Sequence, residues 1–160
     1  MKYRSLSNTS FDELFEAFQQ AFADYEIQLD KGEHWAMLKR RGFNPELSFA
    51  AFDENKIVSF TCNGIGYFDG ALTAYDTGTG TLKEYRGQGL ATQVFEYSIP
   101  YLKQAGIKEY LLEVLQHNTG AVSVYQKIGF DVSREFYYFR PETSQIITEV
   151  KSIGFPYTIQ

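Results

Sequence analysis

Hydrophobic and polar residues follow two periods along this chain, one typical of helices and one typical of strands. Apolar residues recur every three to four positions in four stretches, which predicts about four helices over residues 11–22, 33–41, 89–104 and 118–127. Alternating positions or short apolar runs predict strands over residues 2–6, 48–52, 56–62, 71–76, 110–115 and 135–140, with a further strand starting at Gly129. About seven strands and four helices in this mixed order indicate an α/β fold.

Local signals define several of the boundaries. Ser10 and Glu13 form a capping box before the first helix, and Gly42 follows the second. A turn at residues 53–55 joins two strands into a hairpin. Pro100 falls inside the third helix and predicts a kink or an early end, because proline lacks the amide hydrogen used in a helix interior.

The composition is that of one globular domain over residues 1–160, and it excludes several functions. A formal net charge of −5 argues against nucleic acid as a partner, since binding phosphates requires a basic surface. The single cysteine, Cys62, excludes an internal disulfide and fits a reducing compartment. No apolar run approaches the ~18 residues of a membrane span, so we expect a cytoplasmic protein without membrane contact. His34 and His117 fit no metal-binding pattern, and both are expected on the surface.

Four of the thirteen glycines lie in the stretch GTGTLKEYRGQGLA, residues 78–91, between a predicted strand and a predicted helix. Glycine lets a backbone approach a ligand closely, and the amides of a helix N-terminus attract phosphate. The stretch lacks the Gly-Lys pair of a P-loop. It also has Thr92 where a dinucleotide fingerprint needs its third glycine. These observations predict a phosphate site of another kind.

Residues 86–91, RGQGLA, match the pattern R/Q-x-x-G-x-G/A, and here the chain resembles the GNAT superfamily of N-acetyltransferases. In that family the loop binds the pyrophosphate of acetyl-CoA. The resemblance implies that the stretch holds this cosubstrate through Thr79, Gly80, Thr81, Arg86, Gly87, Gln88, Gly89, Leu90, Ala91 and Thr92.

A second motif lies at residues 118–130, NTGAVSVYQKIGF. Seven residues separate Asn118 from Tyr125, about 700° of helix rotation, so both face one side ~10.5 Å apart along the axis. The pattern N-x-x-A-x-x-x-Y-x-x-x-G-F again resembles the GNAT superfamily, where the asparagine contacts the pantetheine arm and the tyrosine acts near the thiol. The two motifs place the coenzyme-binding core at about residues 71–139.

The resemblance implies an acetyl-CoA-dependent N-acetyltransferase built on a central mixed, partly splayed sheet, without a metal. A bulge near residues 79–81 would separate two parallel strands and leave a strand amide to stabilise the acetyl oxygen. The acetyl group would pass directly to a primary amine. That acceptor is not legible from the sequence, and a small amine, an amino acid, an antibiotic and a peptide N-terminus all stay open.

Two residues are the candidate catalytic groups. An alkyl ammonium of pKa ~10.4 is neutral about once in 2,500 molecules at pH 7, so some group must accept its proton. Glu113 is the candidate base, because certain members of the superfamily have a glutamate five residues before the asparagine. Tyr125 is the candidate donor to the departing thiolate. Full proton transfer from a phenol of pKa ~10 to a thiolate of pKa ~8.5 runs uphill by ~2 kcal/mol, which favours hydrogen bonding as its larger contribution.

Other interpretations stay open for the whole chain and for single residues. The chain could be a non-catalytic module that binds or senses acyl-CoA, or a transferase of longer acyl chains, and a homodimer is not excluded. Asn118 could be only a helix cap, Tyr125 a core aromatic and Glu113 a solvated strand residue. Arg86 could bind phosphate or pair with Glu84. Four aromatic residues could either pack in the core or line the substrate cleft: Phe22, Tyr25, Trp35 and Tyr67. The tail 141–160 has no assignment.

Overall fold

The structure is a computed structural model that describes residues 1–141 and 147–158, with side chains described through residue 135. Its helices are α1 (Phe11–Ala21), α2 (Lys31–Arg40), α3 (Leu90–Gln104) and α4 (Thr119–Ile128). Its strands are β1 (Lys2–Ser5), β2 (Phe49–Asp53), β3 (Lys56–Phe68), β4 (Ala71–Thr81), β5 (Glu109–Leu115), β6 (Arg134–Pro141) and β7 (Ile147–Thr158).

The seven strands of the described chain form one sheet in the order β1-β2-β3-β4-β5-β7-β6. All neighbours pair antiparallel except β4 and β5, which are parallel and are connected by α3. The parallel ladder covers three residue pairs, from Thr73 with Glu109 to Tyr75 with Leu111. Beyond Tyr75 the two strands separate, so the expected mixed, partly splayed sheet is confirmed.

Helices cover the two faces of the sheet. On one face α1 and α2 pack against β2 and β3 around Leu14, Leu38 and Phe60, in a cluster that also buries Cys62. On the other face α3 packs against β4 and β5 around Phe95 and Tyr110. Burial of these apolar side chains is the main stabilising contribution, and it fixes the helices beside the gap between β4 and β5.

Several predicted boundaries are confirmed, because they rest on hydrogen bonds between neighbouring residues. Ser10 accepts from the Glu13 amide at 3.2 Å, and the Glu13 carboxylate accepts from the Ser10 amide at 2.8 Å. Asn118 caps α4 as its sequence motif predicts. The helix α2 begins two residues earlier than expected, since Asp30 and Glu33 form a second capping box.

Other predictions were wrong, and each error has a local cause. The early end considered at Pro100 does not occur. The helix α3 continues to Gln104, since Pro100 and Glu96, whose carbonyl loses its hydrogen bond, both face solvent. Gly129 does not start a strand: it ends α4 with φ 113°, and the Phe130 amide donates to the Tyr125 carbonyl at 3.0 Å.

Two further findings concern a residue whose predicted exposure was wrong and a segment for which the sequence predicted no structure. His34 is buried rather than exposed, with its ring centroid 3.9 Å from that of Phe18. The segment after residue 146, which had no assignment, contains β7, inserted between β5 and β6.

Candidate active site

The glycine stretch divides into a strand end and a loop that we call the phosphate loop, residues 82–89. The first part of the glycine stretch, through Thr81, belongs to β4. In the loop, Gly87 and Gly89 have φ values of +75° and +74°, a conformation that favours glycine. Apart from its own chain neighbours, no residue has a heavy atom within 4 Å of a Cβ built on Gly87, so the backbone there is accessible.

The N-terminus of α3 differs from those of the other helices. Side chains of Ser10, Asp30 and Asn118 cap α1, α2 and α4, whereas Gly89 gives α3 no side-chain cap. The first turn of α3 also contains no acidic residue. The α3 amides therefore keep their capacity to bind an anion, and the residues present fit a pyrophosphate group.

Arg86 lies in the phosphate loop but is engaged by the protein. Its guanidinium forms an ion pair with Asp24 at 3.1 Å and donates to the carbonyls of Ala21 at 2.8 Å and Thr81 at 3.2 Å. Glu84, the partner considered from the sequence, pairs with Lys56 instead. Arg86 thus joins the phosphate loop to the end of α1, and its role in coenzyme binding stays a prediction.

The end of β4, residues 79–81, is held on one side by β3. Thr79, Gly80 and Thr81 pair with residues 59–61, and the Thr81 and Ser59 hydroxyls lie 2.8 Å apart. A Cβ on Gly80 would lie 2.9 Å from the Ala21 Cβ, so glycine is required for α1 to pack here. The side toward β5 has no ladder after Tyr75 and can pair with the amides of an extended ligand arm.

The bulge expected near residues 79–81 lies at Thr77 instead, and it changes which side chains face the gap. Asn63 pairs with Asp76 and Cys62 with Gly78, leaving Thr77 as the extra residue. One inserted residue reverses the alternation of side chains along a strand. Asp76 and Thr79, which would otherwise point to opposite faces, therefore line the same narrow cavity beside Tyr125. We call Asp76, Thr79 and Tyr125 the cleft head.

Asp76 is the central polar group of the cleft head. Its carboxylate accepts from the Gly78 amide and from the Thr79 hydroxyl, each at 2.8 Å, and from the Tyr125 hydroxyl. Burial raises the pKa of Asp76 to about 6, although these three hydrogen bonds and the positive charge of Arg41 act in the opposite direction. The carboxylate is therefore mostly ionised at pH 7 and close to its titration range.

Tyr125 lies on the side of α4 that faces the gap, with its ring packed on Phe130 at 5.8 Å. Burial, and after it the negative charge of Asp76, raises the pKa of the Tyr125 hydroxyl. The neighbouring Thr79 hydroxyl acts in the opposite direction on that pKa. Tyr125 is thus held as a neutral phenol that can donate one hydrogen bond.

Asn118 lies on the same side of α4, and its amide has two partners. Its Oδ1 accepts from the Ala121 amide at 3.2 Å, and its Nδ2 donates to the Tyr25 hydroxyl at 3.0 Å. Asn118, Ala121 and Tyr125 line one cavity of about 370 Å³, which we call the cleft. The predicted common face is confirmed, and Asn118 caps its helix in addition to facing the cleft.

Glu113 stands on β5, two residues beyond the last pair with β4, and it is exposed to the cleft. The Tyr75 hydroxyl is hydrogen-bonded to its carboxylate. Burial, and after it the Glu113 charge, raises the pKa of Tyr75 to about 12. Arg41 lies over the Tyr75 ring, with Cζ 5.7 Å from the centroid. A carboxylate held in this position can accept a proton from an amine in the cleft.

The aromatic residues divide between cleft and surface. Phe22 and Tyr25 line the cleft, and Tyr67 lines a second cavity of about 290 Å³ that shares Tyr75 and Glu113 with it. Trp35 lines neither cavity and packs on Phe11, at 4.8 Å between ring centroids.

Sequence reasoning missed Asp76, Tyr75 and Arg41. Aspartate is uncommon inside a strand, so Asp76 gave a weak signal. The bulge that brings Asp76 to Tyr125 and the fold that brings Arg41 to Tyr75 involve contacts between distant residues, which no local pattern records. Within the described ranges no group of three or more metal-ligating side chains occurs, and no described helix is both long and apolar enough to cross a bilayer.

Comparison with known proteins identifies relatives of this arrangement. Residues 9–130 match the model of the acetyltransferase (GNAT) family. N-alpha-acetyltransferase 30 of Schizosaccharomyces pombe is 32% identical over 117 residues, 71% of this chain and 78% of that protein.

Two solved structures have the same fold. The ribosomal-protein-S18-alanine N-acetyltransferase of Escherichia coli gives a TM-score of 0.76 at 19% identity, covering 99% of this chain and 94% of that chain. A chain of the NatC complex bound to Gag peptide and CoA also gives 0.76 at 19% identity, covering 99% and 98%.

Proposed function

The chain belongs to the acetyltransferase (GNAT) family and is an N-acetyltransferase, and we propose that it transfers the acetyl group of acetyl-CoA to the α-amino group of a peptide or protein. One observation carries the proposal: the gap between β4 and β5 joins the uncapped N-terminus of α3 to a cleft lined by Glu113. The S. pombe relative carries the name N-alpha-acetyltransferase 30, which supports an α-amino acceptor. A cytoplasmic location stays part of the proposal.

On the donor side, the chain offers backbone groups. The amides at the start of α3 would hold the pyrophosphate, the open edge of β4 would hold the pantetheine amides, and Asn118 would contact the same arm. Bound acetyl-CoA would supply the acetyl group as a thioester, and CoA would leave as a thiol. A strand amide in the gap is suited to stabilise the acetyl oxygen as it gains charge.

On the acceptor side, Glu113 would take the proton from the attacking amine. Its carboxylate is exposed to the cleft and oriented by the Tyr75 hydroxyl. Making an alkyl amine neutral at pH 7 costs about 4.6 kcal/mol, and a nearby carboxylate offsets part of that by binding the ammonium and accepting its proton. An α-amino group, with a reference pKa of ~7.7–8.0, needs only about 1 kcal/mol, which also supports this acceptor class.

Tyr125 would donate a hydrogen bond to the departing sulfur. Its pKa lies above the ordinary value for a phenol, so it is a weak acid but a dependable donor. Proton transfer to a thiolate of pKa ~8.5 would run uphill by more than ~2 kcal/mol. Hydrogen bonding to the developing charge is therefore the role that the chemistry of this residue supports.

The test is release of CoA thiol from acetyl-CoA in the presence of two acceptor panels. One contains peptides with different first residues, and the other contains small alkyl amines and aminoglycosides. We expect turnover with a subset of the peptides and a loss of roughly tenfold or more in kcat for Tyr125→Phe. Turnover confined to small amines would contradict the α-amino acceptor, and faster turnover with longer acyl-CoAs would contradict acetyl as the natural group.

A further inference from the structure

Two side chains meet at the cleft head in an arrangement that neither sequence motif contains. Asp76 is the first residue of β4 after its pairing with β5 ends, and Tyr125 approaches it from α4. Both line the narrow cavity and the open cleft. The carboxylate and the phenol thus join a strand and a helix on either side of the gap.

The carboxylate of Asp76 is fixed before Tyr125 is considered. The Gly78 amide binds Oδ1 and the Thr79 hydroxyl binds Oδ2, each at 2.8 Å. Thr79 is itself supported by β3, because its Oγ1 lies 3.2 Å from Oγ1 of Thr61. A carboxylate held at both oxygens by its own strand is a rigid acceptor for a third group.

We propose that Asp76 is a positioning residue that acts through Tyr125, holding the phenol at one place in the gap until its single hydrogen turns from Asp76 to the departing sulfur. The inference rests on the proposed function and names a residue that the motifs leave out.

The chemistry explains why a carboxylate suits this role. In the resting enzyme the Tyr125 hydroxyl donates to Asp76, which fixes the oxygen. A thiolate that develops nearby is the more basic acceptor, and rotation about the phenol C–O bond turns the hydrogen to the sulfur, so the hydrogen bond to Asp76 breaks as the one to sulfur forms. The negative charge of Asp76 also raises the pKa of Tyr125, which keeps the phenol from ionising.

The surroundings of Asp76 determine the pH at which this role is lost. The titratable and charged groups facing it are Tyr125 from α4, Arg41 after α2, Cys62 from β3, Tyr110 from β5 and Tyr75 from β4. With the pKa of Asp76 at about 6, acidification through that value replaces a charge-assisted hydrogen bond by a neutral one. Positioning of Tyr125, and with it kcat, should weaken over that range.

The first experiment is a double-mutant cycle on wild type, Asp76→Asn, Tyr125→Phe and the double variant, with a peptide that wild type acetylates. We expect Asp76→Asn to lower kcat roughly tenfold with KM for acetyl-CoA within about twofold, and to cause no further loss in the Tyr125→Phe background. The step in kcat near pH 6 should disappear in each variant. Asp12→Asn is the control for removing a carboxylate elsewhere, because Asp12 pairs with Lys31 at the surface and neither residue lines the cleft.

The second experiment needs no turnover. Carboxyl signals of ¹³C-labelled aspartate, with Asp76 assigned by its loss in Asp76→Asn, report the pKa of Asp76 in wild type and in Tyr125→Phe. Removing the phenol takes one hydrogen bond from the charged form, so the pKa should rise in Tyr125→Phe.

The outcomes separate this inference from the proposed function. An unchanged Asp76 pKa in Tyr125→Phe, or an equal kcat loss from Asp76→Asn in both backgrounds, would overturn the positioning role even with an active enzyme. If wild type acetylates no peptide, the proposed function fails, and the carboxyl titration still decides whether Asp76 and Tyr125 are coupled. If Asp76→Asn does not fold, the pH profile of Tyr125→Phe decides, since a retained step near pH 6 contradicts the proposal.

Discussion

The cleft head takes two of its residues from the last six of β4, and the phosphate loop follows the end of that strand. The two regions are built in different ways. The phosphate loop offers backbone amides, whose positions depend on Gly87 and Gly89 and on an uncapped helix. The cleft head offers side chains, brought together by a bulge in β4 and by α4. A site built from backbone amides can be recognised in the local sequence. A site built from side chains that are distant in sequence can be recognised there only in part.

The largest expected effect is on acetyl-CoA affinity, and it distinguishes covering of the loop amides from strain in the loop backbone. Gly89→Trp should reduce acetyl-CoA affinity roughly a thousandfold in calorimetry, because a bulky side chain covers the α3 amides and the φ of +74° disfavours any Cβ. Gly70→Trp is the control, since Gly70 has a φ of +77° and nothing within 4 Å of its Cβ position, in the turn between β3 and β4. Equal loss in both variants would show that strain, not access, lowers affinity.

The next effect concerns the acceptor side of the cleft. Glu113→Gln should lower kcat at pH 7 roughly a hundredfold, because the amide cannot accept the proton of the amine, and it should leave acetyl-CoA affinity unchanged. Glu109→Gln, on the same strand but outside both cavities, is the matched control. A kcat for Glu113→Gln close to that of wild type would assign proton removal to another group or to water.

How far the sequence could be interpreted follows the same division. The capping box at Ser10 and the helical face shared by Asn118 and Tyr125 are confirmed, because each depends on residues within one or two turns. The resemblance implied a bulge near residues 79–81, but its position at Thr77 could not be predicted, since nothing between residues 71 and 81 records which residue of β3 stands opposite. The burial of His34 depends on aromatic residues of α1, and no pattern within α2 reveals it.

A smaller effect concerns the junction between the two regions, Arg86. If its guanidinium chiefly anchors the loop to α1, Asp24→Asn and Arg86→Gln should each weaken acetyl-CoA binding by less than roughly tenfold, since exposed ion pairs contribute little. Lys56→Gln, which breaks the neighbouring exposed pair with Glu84, is the control. A hundredfold loss in Arg86→Gln alone would show that the guanidinium binds the coenzyme directly.

The smallest effect is on stability, and its sign distinguishes Asp76 of the cleft head from the buried His34. The pKa of Asp76 is raised from 3.8 to about 6, so the folded protein binds this proton more tightly than the unfolded chain does. The resulting stability is present below pH 3.8 and is lost as pH rises through about 6. Asn does not titrate, so the Tm of Asp76→Asn relative to wild type should be higher at pH 7.5 than at pH 4.5, by roughly 5 °C.

His34 makes this difference measurement necessary. Burial lowers the pKa of His34 from 6.5 to about 4, so the folded protein loses stability as pH falls through the same range in which Asp76 adds it. The two contributions oppose each other in the wild-type curve, whereas subtracting the curve of Asp76→Asn cancels that of His34. A difference in Tm that does not change with pH would mean that Asp76 titrates outside this range, which would remove the step near pH 6 on which the kinetic test depends.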